Sequence, residues 1–340
     1  MLTGHTGFKG TWMTFFLEYL GIPVVGYSLP AEKQSLFDRA SRVGVIPETF
    51  ADIRDYQKLQ NFVYEHKPSA IIHMAAQPLV LKSYESPLET FDINVMGSAN
   101  VLDIAFKSDF IKAIIVVTTD KVYRNDNAGH TFVETDPLAG KDPYSASKVG
   151  AEAVVAAWQQ LAKVYGGPSV VSVRAGNVIG GGDFAENRII PDLIRGVITG
   201  SLIEIRNPES TRPWQHVLDP AKGYLMALEN SLTVSNYQSF NFGPNGLSIS
   251  VREVTDIAKR FFPTLEVDLE KLNLPDQKEA LILNLNSNLS KNHLNWHPSF
   301  NQQEALEMSF EWWRKLIDGV STIEDLCLED LKSCLNAKPH

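Results

Sequence analysis

Gly4-His5-Thr6-Gly7-Phe8-Lys9-Gly10 stands near the start of the chain and decides how the rest is read. It is a Gly-x-x-Gly-x-x-Gly loop. Glycine permits the tight turn from a strand into a helix and lets the backbone approach a diphosphate. The helix that follows offers free N–H groups and the positive end of its dipole. The spacing carries weight only between a strand and a helix. Trp12, Phe15, Phe16, Tyr19 and Leu20 recur at helical spacing and supply the second half of that context. The first half is short, Met1-Leu2-Thr3, where a mean strand has about 5–6 residues. The expectation is therefore an in-frame upstream extension rich in Val, Ile or Phe. The loop assigns Gly4, Thr6, Gly7, Phe8, Lys9 and Gly10 to a bound dinucleotide.

Outward from the loop, short apolar runs alternate with helix-length segments. Residues 22–27, 70–75, 113–118 and 169–173 are rich in Ile and Val and lack period-two alternation. Strands buried on both faces look like this, so a parallel sheet covered by helices is expected. Residues 55–66, 89–106 and 144–165 have the length of crossover helices. The pattern predicts an α/β fold: a doubly wound parallel Rossmann sheet with a smaller α/β substrate lobe on the C-terminal side. The dinucleotide-binding part is placed at 1–175, with 217–242 returning to it, the lobe at 176–216 and 243–330, and a tail at 331–340. Gly180-Gly181-Gly182 reads as a flexible hinge between them. Strand entry is expected over 200–206, helices over 251–262 and 302–317, and a weakly amphipathic helix in the last twenty residues.

The chain has 340 residues and a net charge of -9. That acidity argues against a nucleic-acid partner, whose phosphates require a basic surface, yet leaves room for a local basic pocket. Cys327 and Cys334 are the two cysteines. Their spacing fits neither a zinc site nor a disulfide framework, so no metal is expected and they read as buried thiols on one helix of a cytoplasmic protein. Residues 11–31 are apolar enough to suggest a leader, but Glu18 and the helical spacing argue against one, and no run reaches membrane-spanning length.

Past the second strand, dinucleotide folds usually present a carboxylate to the adenosine ribose. Here the run is Gly26-Tyr27-Ser28-Leu29, which leaves NAD and NADP both open. Asp52 and Ile53 follow a third short strand and are placed against the adenine; Asp52 reads equally well as a helix N-cap. Tyr144 and Lys148 form a Tyr-x-x-x-Lys pair that shares one helix face. A lysine ammonium beside a tyrosine lowers the phenol pKa, so the tyrosinate can take a hydroxyl proton. Thr119-Asp120-Lys121 follows the strand over 113–118, at the end where α/β sheets place ligands. Thr119 offers a hydroxyl, and Asp120 with Lys121 an acid beside a base; alone they would read as a polar turn.

Together the loop, the Tyr144–Lys148 pair and this strand end resemble the extended short-chain dehydrogenase/reductase family. The resemblance continues through His73-Met74-Ala75-Ala76-Gln77, Asn94-Val95-Met96-Gly97, Arg174-Ala175-Gly176-Asn177-Val178 and Asn241-Phe242-Gly243-Pro244. Within that family, the loop itself, Ala76-Gln77-Pro78-Leu79-Val80, Thr119-Asp120-Lys121-Val122-Tyr123, Arg206-Asn207-Pro208, Arg212-Pro213-Trp214-Gln215-His216-Val217 and Trp296-His297-Pro298 resemble the CDP-glucose 4,6-dehydratases.

The resemblance implies NAD as cofactor, with Ala75, Ala76, Gln77, Asn94, Tyr144 and Lys148 joining the loop around it. It implies CDP-glucose as substrate, its diphosphate held by Asn177, Arg188 and Arg212. It implies Tyr144 as base at the 4-hydroxyl, helped by Thr119 and Lys148, Lys121 as base at C5 and Asp120 as acid at the 6-hydroxyl. It also implies a homodimer packed through the helices over 89–106 and 144–165, and a place in deoxysugar supply for surface polysaccharide. Arg188 alone reads equally as a surface ion pair. A nucleotide-sugar 4-epimerase would share Tyr144, Lys148 and the loop without needing Asp120 and Lys121. A non-catalytic dinucleotide-binding protein would be free to lose Tyr144 or Lys148. The base of the nucleotide is marked by no spacing rule.

Overall fold

The computed structural model describes residues 1–205, 207–235, 237–246, 248–269 and 283–337. Seven parallel strands form the central sheet: β1 (Leu2–Thr3), β2 (Gly26–Ser28), β3 (Glu48–Phe50), β4 (Ala70–His73), β5 (Ala113–Val117), β6 (Ser169–Ala175) and β7 (Ser239–Phe242). Their order is β7-β6-β5-β4-β1-β2-β3. β1 lies between β2 and β4, so the strand order reverses there, and the crevice beyond the carboxyl ends of β1 and β4 is where such sheets take ligands. β5, Ala-Ile-Ile-Val-Val, is buried along its whole length, as a central strand covered on both faces must be.

The helices that position the site are α1 (Phe8–Tyr19), α2 (Tyr56–His66), α3, α4 (Pro143–Tyr165), α5 (Ile189–Thr199) and α6 (Leu218–Thr233). α3 is one run built from Pro87–Phe91, a π-helical turn Asp92–Met96, and Gly97–Lys107. Beyond the sheet follow α7 (Val251–Phe261), α8 (Gln302–Ile317) and α9 (Ile323–Asn336). Among the described residues, four two-stranded ribbons accompany the sheet, including Val178–Ile179 with Gln215–His216 and Thr211–Arg212 with Ile249–Ser250. No described helix is long and apolar enough to cross a membrane.

Several expectations need correction. The run over 22–27 becomes a strand only at Gly26, because Pro23 lacks a ladder donor; Leu2 still bonds the Val25 carbonyl, at 2.9 Å. The helix expected over 89–106 starts at Pro87, which suits a first helical position, and contains the π turn. Gly180, Gly181 and Gly182 do not form an open hinge. All three are buried, a side chain on Gly181 would overlap the Trp312 indole, and the Gly181 carbonyl accepts from Trp12 Nε1 at 3.0 Å. The boundary at 331 falls inside α9, where Leu331 and Cys334 are buried. Arg206 of the resembling strings lies outside the described residues.

Candidate active site

The glycine loop turns directly from β1 into α1. Gly4 has φ +71°, and a β-carbon there would stand 2.6 Å from the Ala75 amide nitrogen. A β-carbon on Gly10 would overlap the Gly4 carbonyl oxygen. Gly7 differs: it is exposed, and the nearest atom to its absent side chain is the Gly4 carbonyl at 3.5 Å. It also serves as N-cap of α1 with no side-chain acceptor. Tight packing on two glycines and an open third at an uncapped helix start make a cradle that fits a dinucleotide diphosphate. Thr6 ties the loop to the end of β2 through Ser28 Oγ at 2.7 Å and the Leu29 carbonyl at 3.0 Å. The Phe8 ring packs into the core, leaving its backbone to the loop.

The far end of the crevice carries Asp52 and Ile53. Asp55, not Asp52, caps α2, accepting from the Lys58 amide at 3.1 Å. Asp52 is held by the Arg54 guanidinium at 2.6 Å, which keeps its carboxyl below the usual range. Ile53 is buried beneath Gly97.

Ala75, Ala76 and Gln77 follow β4. Asn94 fastens this segment: its Oδ1 accepts from the Gln77 amide at 2.8 Å, while its Nδ2 donates to the Gln77 carbonyl at 3.1 Å and to Ser147 Oγ at 2.8 Å. Asn94 sits in the π turn of α3, a helical irregularity common at functional sites. One side chain thus joins the β4 loop to α4.

α4 starts where it does because Asp142 and Ser145 form a capping box and Pro143 occupies the first turn. That start places Tyr144 over the end of β5, near enough to Thr119 for that hydroxyl to act on the phenol. Lys148, one turn on, donates to the Val117 carbonyl at 3.2 Å. The electrostatics differ from the expectation. Burial pushes the Tyr144 phenol up to about 12, with Thr119 opposing. Burial and the neighbouring Lys9 bring the Lys148 ammonium down to about 7.

Thr119 donates to Asp120 Oδ1 at 3.0 Å. Asp120 is buried, and its Oδ2 has no hydrogen-bond partner among the described residues. Burial raises its carboxyl above the ordinary range, opposed by Lys121, Thr119 and Arg212. The shift runs in the direction that suits a proton donor. Burial and the Arg188 charge bring Lys9 down to about 8. Arg188 is ion-paired with Asp183 at 3.0 Å, and its charge also reaches Lys9 and Tyr144. Asn177, in the left-handed region at φ +44°, follows Gly176. Lys9, Lys148 and Arg188 thus cluster within an acidic chain.

Three residues were missed. Gly176 makes room for the Asp120 carboxylate, which any side chain there would overlap. Tyr224 of α6 is fully buried, with a hydroxyl that finds no partner among the described residues and with Lys9 Nζ 5.9 Å from its ring centre. Glu152 continues the four-residue spacing of Tyr144 and Lys148, and that spacing was the signal that could have found it.

The chain belongs to the NAD dependent epimerase/dehydratase family, whose model matches residues 1–243. Its cofactor is accordingly NAD, and the resemblance to extended short-chain dehydrogenases/reductases is confirmed. Among curated proteins it is 38% identical over 328 residues to CDP-glucose 4,6-dehydratase of Salmonella typhimurium, covering 94% of this chain and 91% of that one. It is 26% identical over 307 residues to dTDP-glucose 4,6-dehydratase of Escherichia coli, covering 79% and 82%. Among solved structures, UDP-glucose 4-epimerase of Thermus thermophilus in complex with NAD matches with a TM-score of 0.78 at 24% identity, covering 92% of this chain and 98% of that one. dTDP-glucose 4,6-dehydratase of Bacillus anthracis in complex with NAD also gives 0.78, at 21% identity, covering 92% and 96%. These structural likenesses establish the fold.

Proposed function

We propose that this chain is a hydro-lyase that converts CDP-D-glucose to CDP-4-keto-6-deoxy-D-glucose. The observation that carries the reading is Thr119, whose hydroxyl donates to Asp120, accepts from the Lys121 amide and acts on the Tyr144 phenol. A base for one hydroxyl and an acid–base pair for the neighbouring carbons thus meet at one strand end. The 38% identity to a CDP-glucose 4,6-dehydratase over nearly the whole chain supports the choice of reaction and of nucleotide.

Tyr144 takes the proton of the sugar 4-hydroxyl, with Thr119 fixing the phenol. NAD, held at the glycine loop, would supply a hydride acceptor for C4 and a hydride donor for C6. The ketone at C4 acidifies the C5 proton, which Lys121 removes and gives back to C5 when hydride reaches C6. Asp120 protonates the 6-hydroxyl, which leaves as water. Burial of Asp120, Tyr144 and Lys148 keeps solvent from the reacting atoms. Arg212, Arg188 and Asn177 hold the diphosphate, whose geometry suits guanidinium forks. Gly4, Thr6, Gly7, Phe8, Lys9, Gly10, Asp52, Ile53, Ala75, Ala76, Gln77 and Asn94 line the dinucleotide. Residues 1–175 and 217–242 form the cofactor-binding part, and 176–216 with 243–330 the sugar-nucleotide lobe. The protein works in the cytoplasm as a homodimer through α3 and α4, supplying deoxysugars for surface polysaccharide.

A screen of CDP-, dTDP-, UDP- and GDP-hexoses for a product absorbing in alkali, the mark of a 4-keto sugar, tests this. CDP-glucose should give the signal. A C4 epimer with no such absorbance, or turnover confined to another nucleotide, would overturn the reading.

A further inference from the structure

Behind the candidate site lies a buried polar knot that no step above uses. Tyr144, Lys148 and Glu152 stand four residues apart on α4, share its inner face and are all buried. Glu152 Oε1 accepts from Thr118 Oγ1 at 2.5 Å and Arg174 Nε at 2.8 Å. Its Oε2 accepts from Ser172 Oγ and Arg174 Nη2, both at 2.8 Å. Arg174 also donates to the Tyr123 phenol oxygen at 2.9 Å, the Glu134 carbonyl at 3.0 Å and Ser239 Oγ at 3.2 Å. The carboxylate thereby bolts α4 to β5 and β6 and, through Arg174, to β7. Thr118, one of the bolted residues, directly precedes Thr119.

We propose, resting on the reaction given above, that Glu152 is the positioning residue of the Tyr144–Lys148 pair. Its hydrogen bonds to Thr118, Ser172 and Arg174 set α4 over the end of β5, and its carboxylate stands one turn from the Lys148 ammonium. Three hydrogen bonds from β6 and one from Thr118, just past β5, fix the helix against sliding, so Tyr144 faces Thr119 in one register. The groups facing Lys148 are Lys9 from α1, His73 from β4, the Val117 carbonyl from β5, and Tyr144 and Glu152 from its own helix. Of these, Lys9 disfavours the ammonium and Glu152 favours it. Glu152 thus offsets part of the loss of charge that burial and Lys9 impose on Lys148.

The test reads Lys148 directly. The NAD complex is labelled with ε-13C-lysine, and the Lys148 signal is assigned by its loss in Lys148→Met. In Glu152→Gln the lysine should titrate lower than in the parent by about one pH unit, the small end of the effect of a nearby opposite charge. Glu152→Asp keeps a carboxylate and should restore most of that difference. If Glu152→Gln does not fold because Arg174 is left unpaired, the Glu152→Gln/Arg174→Met double variant removes both charges and should show the same direction of shift. An unmoved Lys148 titration in a folded variant lacking the carboxylate would reduce Glu152 to a structural brace and overturn the proposal. The alkaline limb of kcat/KM on CDP-glucose should move with the lysine signal. Because the titration is read without sugar, failure to turn over CDP-glucose would count against the proposed reaction and leave the lysine result standing on its own.

Discussion

Asp120 occupies the volume that a side chain at residue 176 would need: a β-carbon on Gly176 would overlap the Asp120 carboxylate. Gly176→Ala should therefore expel that carboxylate from its place beside Thr119 while leaving Tyr144 and Lys148 in register. We expect 4-keto-6-deoxy product to fall by about 10²–10⁴-fold, the usual contribution of a positioned acid, with absorbance of reduced nicotinamide still appearing when CDP-glucose is added. Equal loss of both signals would show that the whole site had shifted.

Removing the acid–base pair chemically rather than sterically should give a related split. Lys121→Met or Asp120→Asn should oxidise C4 and stall. In Lys121→Met, exchange of solvent deuterium into C5 should slow by a similar factor. Loss of Tyr144 should abolish both phases. Should Lys121→Met instead abolish oxidation, the Asp–Lys turn belongs to the first step and the chain is better described as an epimerase-like oxidoreductase.

The open face of Gly7 separates cofactor binding from folding. Its φ of -75° suits any residue, and only the Gly4 carbonyl lies near its missing side chain. Gly7→Val should keep its thermal midpoint and lose retained NAD, whereas Gly4→Ala, at φ +71° against Ala75, should lose stability as well. NAD content after desalting, read beside the melting curve, checks both; unchanged NAD in Gly7→Val would refute the loop assignment.

Arg212→Ala should act on the sugar nucleotide alone. A hydrogen bond to a charged group is worth about 1.5–3 kcal/mol, so KM for CDP-glucose should rise by roughly one to two orders of magnitude while NAD binding is unchanged. Equal weakening of both ligands would place the guanidinium elsewhere.

His73 makes a prediction about acid stability. It bonds Thr3 Oγ1 at 2.7 Å and Ser98 Oγ at 3.0 Å, and burial, assisted by the Lys148 charge, holds it down to about 3. Below its ordinary value near 6.5 the unfolded chain takes up a proton that the folded chain refuses. Stability is therefore lost as pH falls from about 6.5 toward 3, at up to about 1.4 kcal/mol per unit. Between pH 7 and pH 5, urea unfolding should show a loss about 2 kcal/mol larger in the parent than in His73→Gln. Matching losses would mean that another group sets the acid limit.

What could be read along the chain was what is local in it. The uninterrupted Ile–Val runs announced a parallel sheet, and the span from 302 to 317 is a helix to the residue. Tyr144 and Lys148 were legible because a helix repeats its faces. Gly176 was quoted but given no role, since its need for emptiness is set by Asp120, far away in the chain. Three consecutive glycines from 180 suggested freedom, yet Trp12 and Trp312 fill the space around them. The expected lowering of the Tyr144 phenol failed because proximity along a helix says nothing of burial, and burial dominates here.

The π turn at Asp92–Met96 has a consequence for how this site tolerates change in length. Such a turn holds one residue more than a regular helical ladder accommodates. Deleting a single residue there would let the ladder close, leave the flanking turns of α3 in place and remove the wide turn that presents Asn94. Asn94 would then swing away from Gln77 and Ser147, and the β4 loop would lose its tie to the tyrosine helix. The reach of this site thus depends on an inserted residue, so that no substitution elsewhere in the helix could replace it.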